Sequence, residues 1–248
     1  MPPESAELLV ADSFRVRLDP ATGEAGVRGL DRHLFRFSRS VRQATGRTLD
    51  GIGAFLDEAR GRIAEYGEGW PRLELLRDGA SGEHRLGLRL RPLPGLGDAI
   101  ELRSARAVAL VHPERKGPNL GALAELNSEL GAEALLLDWQ GCAIEGATTS
   151  LVWWRGDRLQ RVPGGARVPS VTESLLANLA KARGIAVDRT GVTPAELAVG
   201  EVWAVNALHG IRPVTSIDDA SMPPPDASRL QWFREALDES WQPLLPPA

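Results

Sequence analysis

The sequence predicts an α/β (α+β) protein built from two domains. Before about residue 105 the pattern predicts short strands and two amphipathic helices, whereas helices with clear start and stop signals alternate with buried strands after Lys116. A chain of 248 residues is long enough for one large domain or two smaller ones. We therefore expect an N-terminal small α+β domain over residues 1–111 and a C-terminal α/β domain over residues 112–248.

The composition is typical of a soluble globular protein, with 43% hydrophobic and 25% charged residues. The net charge of −4 and the dispersed arginines argue against nucleic-acid binding. We expect no membrane association, because no apolar run reaches the ~18 residues that a membrane span needs. The single cysteine, Cys142, rules out an intramolecular disulfide and a zinc site built from cysteines, and we expect no metal. The N-terminal residues lack the features of a secretion signal, so we expect a cytoplasmic protein.

The first half of the chain combines strands with two helices. Strands are predicted at 8–18, 72–78, 85–91, 99–103 and 106–111, and helices at about 31–45 and 50–65. In the first helix Leu34, Phe37 and Val41 recur at helical spacing, and Asp31 is a plausible N-cap.

The second half has sharper boundaries. Helices are predicted at about 120–130 with Asn119 as the cap, from Ser170 to Gly184, and at 226–240; strands are predicted at 134–138, 142–146, 151–154, 158–161 and 201–205. Ser170-Val171-Thr172-Glu173 and Thr193-Pro194-Ala195-Glu196 are capping-box sequences, which open helices. Asn206 to Gly210 is predicted to be a polar loop after a buried strand.

Lys116 is the most informative single residue. Two of the 29 basic residues are lysines and the other 27 are arginines, so this chain almost always places its positive charge on arginine. Lysine is required where the chemistry needs an amine that can lose its proton and attack a carbonyl group. Lys181 has an ordinary explanation, because it lies near the end of a helix, where a cation suits the dipole. An ordinary surface lysine in a loop is the alternative explanation for Lys116.

Other segments could supply groups to the same site. Glu145 is followed by the small residues Gly146 to Ser150, and the start of the helix at Ser170 offers free N–H groups and the Thr172 hydroxyl to an anion. Asn206 to Gly210 could add backbone donors, and Arg36 could reach a phosphate. Each also has a structural explanation: an exposed glutamate at a turn, a well-capped helix, or a solvated arginine.

Taken in order, these segments resemble the fold-type IV pyridoxal-phosphate enzymes, the aminotransferase class IV family. The matching segments are Lys116 with Asn119, Glu145-Gly146, Val168 to Thr172, and Asn206 to Val214. Leu30 to Arg36 is similar to the family's leader helix, whose arginine holds the cofactor phosphate. The resemblance spans about residues 11–218. It implies two α/β domains with pyridoxal 5'-phosphate in the cleft between them, a small-molecule amino substrate, and a homodimer.

The resemblance also implies a role for each matching residue. Lys116 would form the covalent link to the cofactor and later move protons at the substrate carbon. Glu145 would pair with the pyridine nitrogen, so that the ring can accept electrons. The remaining cofactor-binding residues would be Arg36, Val171 and Thr172 at the phosphate, Thr148 against the ring, and Asn206 and Ala207 in a second phosphate or carboxylate loop.

The sequence departs from the family near its N-terminus. The usual Gly-Asp-Gly-x-Phe-Glu signature is reduced to Ala11-Asp12-Ser13-Phe14-Arg15. Ser150 stands where many members have asparagine, and Leu120 where an aromatic residue is common. The substrate end of the site is therefore expected to differ from that of the main subgroups.

Three functions remain open. The Lys-x-x-Asn spacing and the Trp153-Trp154-Arg155-x-Asp157 hairpin look more like aminodeoxychorismate lyase, which converts 4-amino-4-deoxychorismate to 4-aminobenzoate and pyruvate. The alternative is a branched-chain or D-amino-acid aminotransferase, whose substrate carboxylate would need a cation such as Arg15, Arg17 or Arg212. The third is a non-catalytic relative that binds the cofactor or a partner.

Overall fold

The computed structural model describes residues 6–244 and divides into two compact units. The first unit combines the residues up to Gly95 with Arg115–Pro118 and the segment from Ser240 onward, and the second combines Leu96–Glu114 with Asn119–Glu239. The expected boundary between residues 111 and 112 stays a prediction. None of the helices within the described range has the length and apolar character needed to cross a bilayer.

The first unit carries two small antiparallel sheets and two helices. Its elements are β1 (Glu7–Ser13), β2 (Val16–Leu18), β3 (Ala25–Arg28), α1 (Leu30–Thr45), α2 (Ile52–Tyr66), β4 (Arg72–Arg77), β5 (His84–Arg89) and, from the C-terminal segment, β15 (Trp241–Pro243). One sheet has the order β1-β4-β5 and the other β15-β3-β2. The predicted strand at 8–18 is therefore two strands, which belong to different sheets.

Helix α1 buries most of the side chains that its spacing predicts. Phe37 and Val41 are buried together with Leu30, whereas Leu34 on the same face is half-buried. The predicted N-cap at Asp31 is wrong, because Gly29 in the left-handed conformation (φ 64°) precedes the helix and Asp31 lies inside its first turn. An acidic residue there still suits the helix dipole.

The second unit is organised around one nine-stranded mixed sheet. Its elements are β6 (Ile100–Arg106), α3 (Leu120–Leu130), β7 (Glu133–Leu137), β8 (Ala143–Gly146), β9 (Ser150–Arg155), β10 (Arg158–Arg161), α4 (Val171–Ala182), β11 (Val187–Arg189), α5 (Pro194–Leu197), β12 (Val202–Asn206), β13 (Gly210–Ile217), β14 (Ala220–Ser221) and α6 (Ala227–Asp238). The strand order is β11-β10-β9-β12-β13-β6-β7-β8, with β14 paired to β13.

Strand β9 shows why both faces of this sheet are covered. Leu151 and Trp153 pack into one hydrophobic cluster, whereas Val152 and Trp154 pack into another with Phe233 of α6. Because successive strand residues point to opposite faces, this alternation requires a core on each side of β9. The uninterrupted run of apolar residues from 151 to 154 follows from this arrangement, because each of them faces one of the two cores.

Two sequence expectations around residue 110 are wrong. Residues 107–111 do not form a strand, because β6 ends at Arg106 and Ala107 takes a left-handed backbone conformation (φ 55°). Asn119 precedes α3 but makes no side-chain cap; its amide instead accepts from the Val111 N–H and donates to the Val111 carbonyl, both at 2.9 Å. The side chain therefore closes the 111–119 loop.

Candidate functional site

Lys116 is held in the first unit by its own backbone. The Ala11 N–H of β1 donates to the Lys116 carbonyl at 2.7 Å. The next residue, Gly117, has φ +142°, and a Cβ there would lie 2.8 Å from the Cα of Val10. The lysine segment thus lies so close to β1 that the residue after the lysine must lack a side chain.

The surroundings of Lys116 lower the pKa of its amine. Burial is the main cause that lowers the pKa of Lys116 to about 8, and the positive charge of Arg36 lowers it further while Asp12 opposes the shift. With this pKa about a tenth of the molecules carry the deprotonated amine at pH 7, far more than at the ordinary pKa of 10.5. That is the form which can act as a nucleophile or accept a proton.

Asp12, His33 and Arg36 form a buried polar cluster in the same unit. Arg36 grips Asp12 with two bonds, from Nε to Oδ2 at 2.7 Å and from Nη2 to Oδ1 at 2.8 Å, and His33 Nδ1 lies 2.8 Å from Asp12 Oδ1. Asp12 and His33 are each 1% exposed. Burial raises the pKa of Asp12, but Arg36 and His33 outweigh it and hold that pKa well below its usual range.

The cluster fixes the protonation state and the tautomer of His33. Burial is the largest of the causes that lower the pKa of His33, so the ring is neutral, and the short contact to a carboxylate requires the proton on Nδ1. Nε2 is then an acceptor, and it has no hydrogen-bond partner among residues 6–244. Arg36 was expected to hold a phosphate; the structure shows it in a bidentate pair with Asp12, and the phosphate role stays a prediction.

In the second unit, Glu145 lies on β8 and is buried, with 7% of its surface exposed. Its Oε1 accepts from the Val168 N–H at 3.3 Å. Glu145 is thus an acid at a buried strand and not the exposed turn residue that was its structural alternative.

The turn after Glu145 is built around a second buried acid, Glu133. The carboxylate of Glu133 accepts from the Thr148 N–H at 2.6 Å, from the hydroxyls of Thr148 and Thr149, and from the side chain of Asn127. A Cβ on Gly146 would lie 2.2 Å from the Thr149 hydroxyl, so glycine is required there. Thr148, expected against the cofactor ring, therefore has its hydroxyl bonded to Glu133.

The start of α4 makes one of the two bonds of the predicted capping box, because the Glu173 side chain binds Arg161 and Arg167 and not the Ser170 backbone. The Ser170 hydroxyl accepts from the Glu173 N–H at 3.2 Å, which leaves Val171 and Thr172 in the first turn, where N–H groups have no partner four residues earlier in the helix. Both are buried, at 5% and 4% exposure. The arrangement suits an anion at this helix end.

The turn at the end of β12 is closed by Asn206. Its Oδ1 accepts from the N–H groups of Leu208 at 3.1 Å and His209 at 2.9 Å, and its Nδ2 donates to the Thr148 carbonyl at 3.4 Å. These two backbone donors are therefore occupied, whereas the loop was expected to offer them to a ligand. Ala207 lies within this turn, and its role and that of Asn206 at a cofactor stay predictions.

Several residues of these clusters were not predicted. In the sequence Asp12 is only the remnant of a signature, and no motif there gives Glu133, Arg167 or Glu173 a role toward a ligand. Their signal in the sequence is weak, because a buried acid is recognised by its hydrogen-bond partners, and those partners lie 6 to 24 residues away along the chain.

The sequence of this chain matches a family model. Residues 104–217 match amino-transferase class IV. None of the curated proteins matches the chain.

Solved structures of aminotransferases and lyases share the fold. A hypothetical aminotransferase from Mycobacterium tuberculosis in a PLP-bound form superposes with a TM-score of 0.75 at 17% identity, covering 94% of this chain and 88% of that one. A branched-chain aminotransferase from Thermoproteus uzoniensis with norvaline gives 0.77 at 17% identity, covering 95% and 90%. A Legionella pneumophila protein described as a candidate 4-amino-4-deoxychorismate lyase gives 0.77 at 15% identity, covering 93% and 90%.

The two kinds of comparison agree. The family model covers the segment from Ser104 to Ile217, and the fold extends the likeness over nearly the whole chain. Residues 104–217, a little under half of the chain, are thus similar to the class IV amino-transferases, and the fold resembles that of a PLP-bound aminotransferase.

Proposed function

We propose that this protein is a pyridoxal-phosphate enzyme in which Lys116 holds the cofactor covalently. The observation that carries the proposal is the Lys116 amine, whose pKa is lowered to about 8 in a chain that otherwise uses arginine. Lys181, the other lysine, is exposed on α4. A neutral amine attacks an aldehyde, and a protonated one does not.

The residues present fit the rest of the cofactor. Glu145 is a buried acid that suits the ring nitrogen, and the first turn of α4 suits the phosphate through the N–H groups of Val171 and Thr172. When bound, pyridoxal phosphate supplies an electron sink at the carbon next to the amine. Lys116 then serves as the base, since its Nζ takes the proton from that carbon and returns it where the reaction requires.

Absorption spectra with and without Lys116 test this assignment. Purified protein is incubated with pyridoxal phosphate, and we expect a band of the bound cofactor that borohydride reduction makes permanent in the wild type and in Lys181→Ala. Lys116→Ala should lose the band. An unchanged band in Lys116→Ala, or its loss in Lys181→Ala, contradicts the assignment.

For the reaction, we propose the lyase. Lys116 takes the proton at the amine-bearing carbon of 4-amino-4-deoxychorismate, the C–O bond to the enolpyruvyl group breaks, and that group leaves and takes up a proton to become pyruvate. The support is the Lys-x-x-Asn spacing, in which Asn119 closes the 111–119 loop. The fold shared with the Legionella protein is compatible with it.

Arg212 favours a second candidate, an aminotransferase. No ion pair of Arg212 occurs among the described residues, its buried Nε has no hydrogen-bond partner there, and burial is the main cause that lowers its pKa. The charge of Glu133 acts on Arg212 but forms no ion pair with it, so this half-buried guanidinium is suited to the carboxylate of an amino or keto acid.

A product assay separates the two reactions. The lyase should release pyruvate and 4-aminobenzoate in equal amounts from 4-amino-4-deoxychorismate without a keto acid. An aminotransferase should instead convert 2-oxoglutarate and an amino acid. Arg212→Leu serves as the second variant, since it should weaken the binding of the amino donor by roughly tenfold or more if Arg212 holds its carboxylate.

A further inference from the structure

Three charged side chains form a network in the second unit at the start of α4, of which Glu173 and Arg167 are buried and Arg161 is half-buried. Glu173 is 1% exposed, and both of its oxygens are used. Oε1 accepts from Arg161 Nε at 2.6 Å and from Arg167 Nη2 at 2.9 Å, and Oε2 accepts from Arg167 Nη1 at 2.6 Å. Glu173 thus binds Arg167 in the bidentate geometry that fixes a guanidinium most firmly.

Arg167 also fixes the segment that leads into α4. Its Nη2 donates to the Val162 carbonyl at 3.2 Å and its Nε to the Pro163 carbonyl at 3.4 Å. The segment it spans contains Gly164 and Gly165, which have little conformational preference of their own. The Arg167 side chain therefore fixes the backbone of residues 162–167, although the two glycines in this segment would allow many conformations.

The ordered segment ends at the amide that reaches Glu145. Val168 follows Arg167 directly, and its N–H donates to Glu145 Oε1. Burial lowers the pKa of Arg167, but Glu173 and then the charge of Glu145 raise it above its ordinary value. The charge of Arg167 thus acts on Glu145 as well as on Glu173.

The balance of charge explains why two arginines share one glutamate. Arg161 and Arg167 with Glu173 carry one net positive charge in a buried place, which is costly unless a further anion is near. Glu145 supplies that anion. Among the described residues, the segments bonded to β8 or to the residue before it also carry Glu133, Asp138 and Arg189. Glu133 accepts from Thr148, Thr149 and Asn127, and Asp138 accepts from the Cys142 N–H.

We propose that Arg167, held by Glu173, is a positioning residue that keeps Glu145 ionised and fixed for the ring nitrogen of the cofactor. The pairing of Glu145 with the ring nitrogen rests on the proposed function. The effect of the Arg167 charge on Glu145 does not depend on a cofactor. The two can therefore be tested apart.

The first experiment needs no cofactor. The protein is labelled with side-chain ¹³C glutamate, the resonance of Glu145 is assigned with Glu145→Gln, and its titration is followed by NMR. Arg167→Gln should raise the pKa of Glu145 by about one unit, since it removes a positive charge. Glu173→Gln should lower it, since it removes a negative charge while its amide oxygen can still accept from Arg167 and keep it in place. Arg167→Lys should lie near the wild type.

The opposite signs separate an electrostatic role from a structural one. If the network were only structural, both substitutions would loosen the segment and move the titration in the same direction. Arg158→Gln is the matched control, because Arg158 pairs with Asp188 at the surface and should leave Glu145 unchanged. Equal or same-direction shifts in Arg167→Gln and Glu173→Gln overturn the proposal. If Arg167→Gln does not fold, Glu173→Gln decides by the sign of its shift alone.

The second experiment adds pyridoxal phosphate and follows the absorption of the bound cofactor against pH. The pH midpoint of this absorption change should move in Arg167→Gln and Glu173→Gln in the same directions as the pKa of Glu145. The dissociation constant of the cofactor should rise roughly tenfold in Arg167→Gln. Shifts in the NMR titration without any shift of the cofactor spectrum would overturn the role at the ring nitrogen. Absence of cofactor binding in the wild type would instead contradict the proposed function.

Discussion

At the scale of single residues, the candidate functional groups are buried side chains whose pKa values are set by burial and by neighbouring charges together. Lys116 is kept partly neutral by burial and by Arg36, whereas Asp12 is kept ionised by Arg36 and His33 despite its burial. The same arginine therefore shifts a neighbouring amine and a neighbouring acid in the same direction. Lys116 was predictable from composition, because lysine is rare here; Asp12 was not, because its partners lie on a helix 21 and 24 residues later.

Removing Asp12 should lower the pKa of Lys116 further, since Asp12 is the group that opposes the shift. The chain has two lysines, so reductive ¹³C-methylation gives few resonances, and Lys181→Arg identifies the one from Lys116. We expect Lys116 to titrate near pH 8 in the wild type and lower in Asp12→Asn. A titration that stays in place contradicts the electrostatic role of Asp12.

The same cluster predicts loss of stability in acid. The pKa of His33 is lowered in the folded state, so the unfolded chain binds its proton first and stability falls as the pH drops below about 6.5. The pKa of Asp12 is also lowered, so a second loss follows below its unfolded value of 3.8. Urea unfolding at several pH values should show both, and His33→Gln should abolish the first step.

At the scale of elements, the sequence predicted best where a local signal sets the boundary. The Ser170 and Thr193 caps were confirmed, the second with both bonds of the box between Thr193 and Glu196. Strands β3, β11, β13, β14 and β15 were missed, because they are short or, in β13, interrupted by Arg212 and Pro213 in a pattern that is not apolar. Their existence depends on partner strands distant in sequence.

A prediction at this scale concerns Gly117. An added methyl group would meet the backbone of Val10 and Ala11 at 2.8 to 2.9 Å, so Gly117→Ala must displace the lysine segment or strand β1. We expect it to destabilise the protein by about 2 kcal/mol or more and to slow cofactor attachment at Lys116.

Gly121 is the matched control, because it lies on α3 with nothing within 4 Å of an added Cβ. Gly121→Ala should stabilise the protein by roughly 0.5–1 kcal/mol, since alanine favours the helix. Thermal unfolding of the pair gives both values. Equal effects of the two substitutions would mean that the tight contact at Gly117 is not a constraint.

At the scale of the whole molecule, each unit is assembled from separate stretches of chain. The first unit takes its main part from the N-terminal residues, but it also includes Arg115–Pro118 and the segment that contains β15. Strand β15 pairs with β3, and Trp241 lies 4.5 Å from the guanidinium groups of both Arg17 and Arg28. Composition and periodicity could predict two α/β parts, but they could not show that the C-terminus returns to the first one.

This return predicts the effect of a truncation. A chain that ends at Glu239 lacks β15 and should lose protection from hydrogen exchange in β2 and β3, which then form a sheet of two strands. A chain that ends at Leu244 is the reference, because it keeps β15. Equal protection in the two chains would show that the third strand adds nothing to this sheet.

The bond from the Ala11 amide to the Lys116 carbonyl has a consequence for the altered N-terminal signature. The tether is made by main-chain atoms, so it does not depend on the side chain of residue 11, and only proline, which has no N–H, would remove it. The altered signature Ala11-Asp12-Ser13-Phe14-Arg15 is therefore compatible with a lysine that keeps its place.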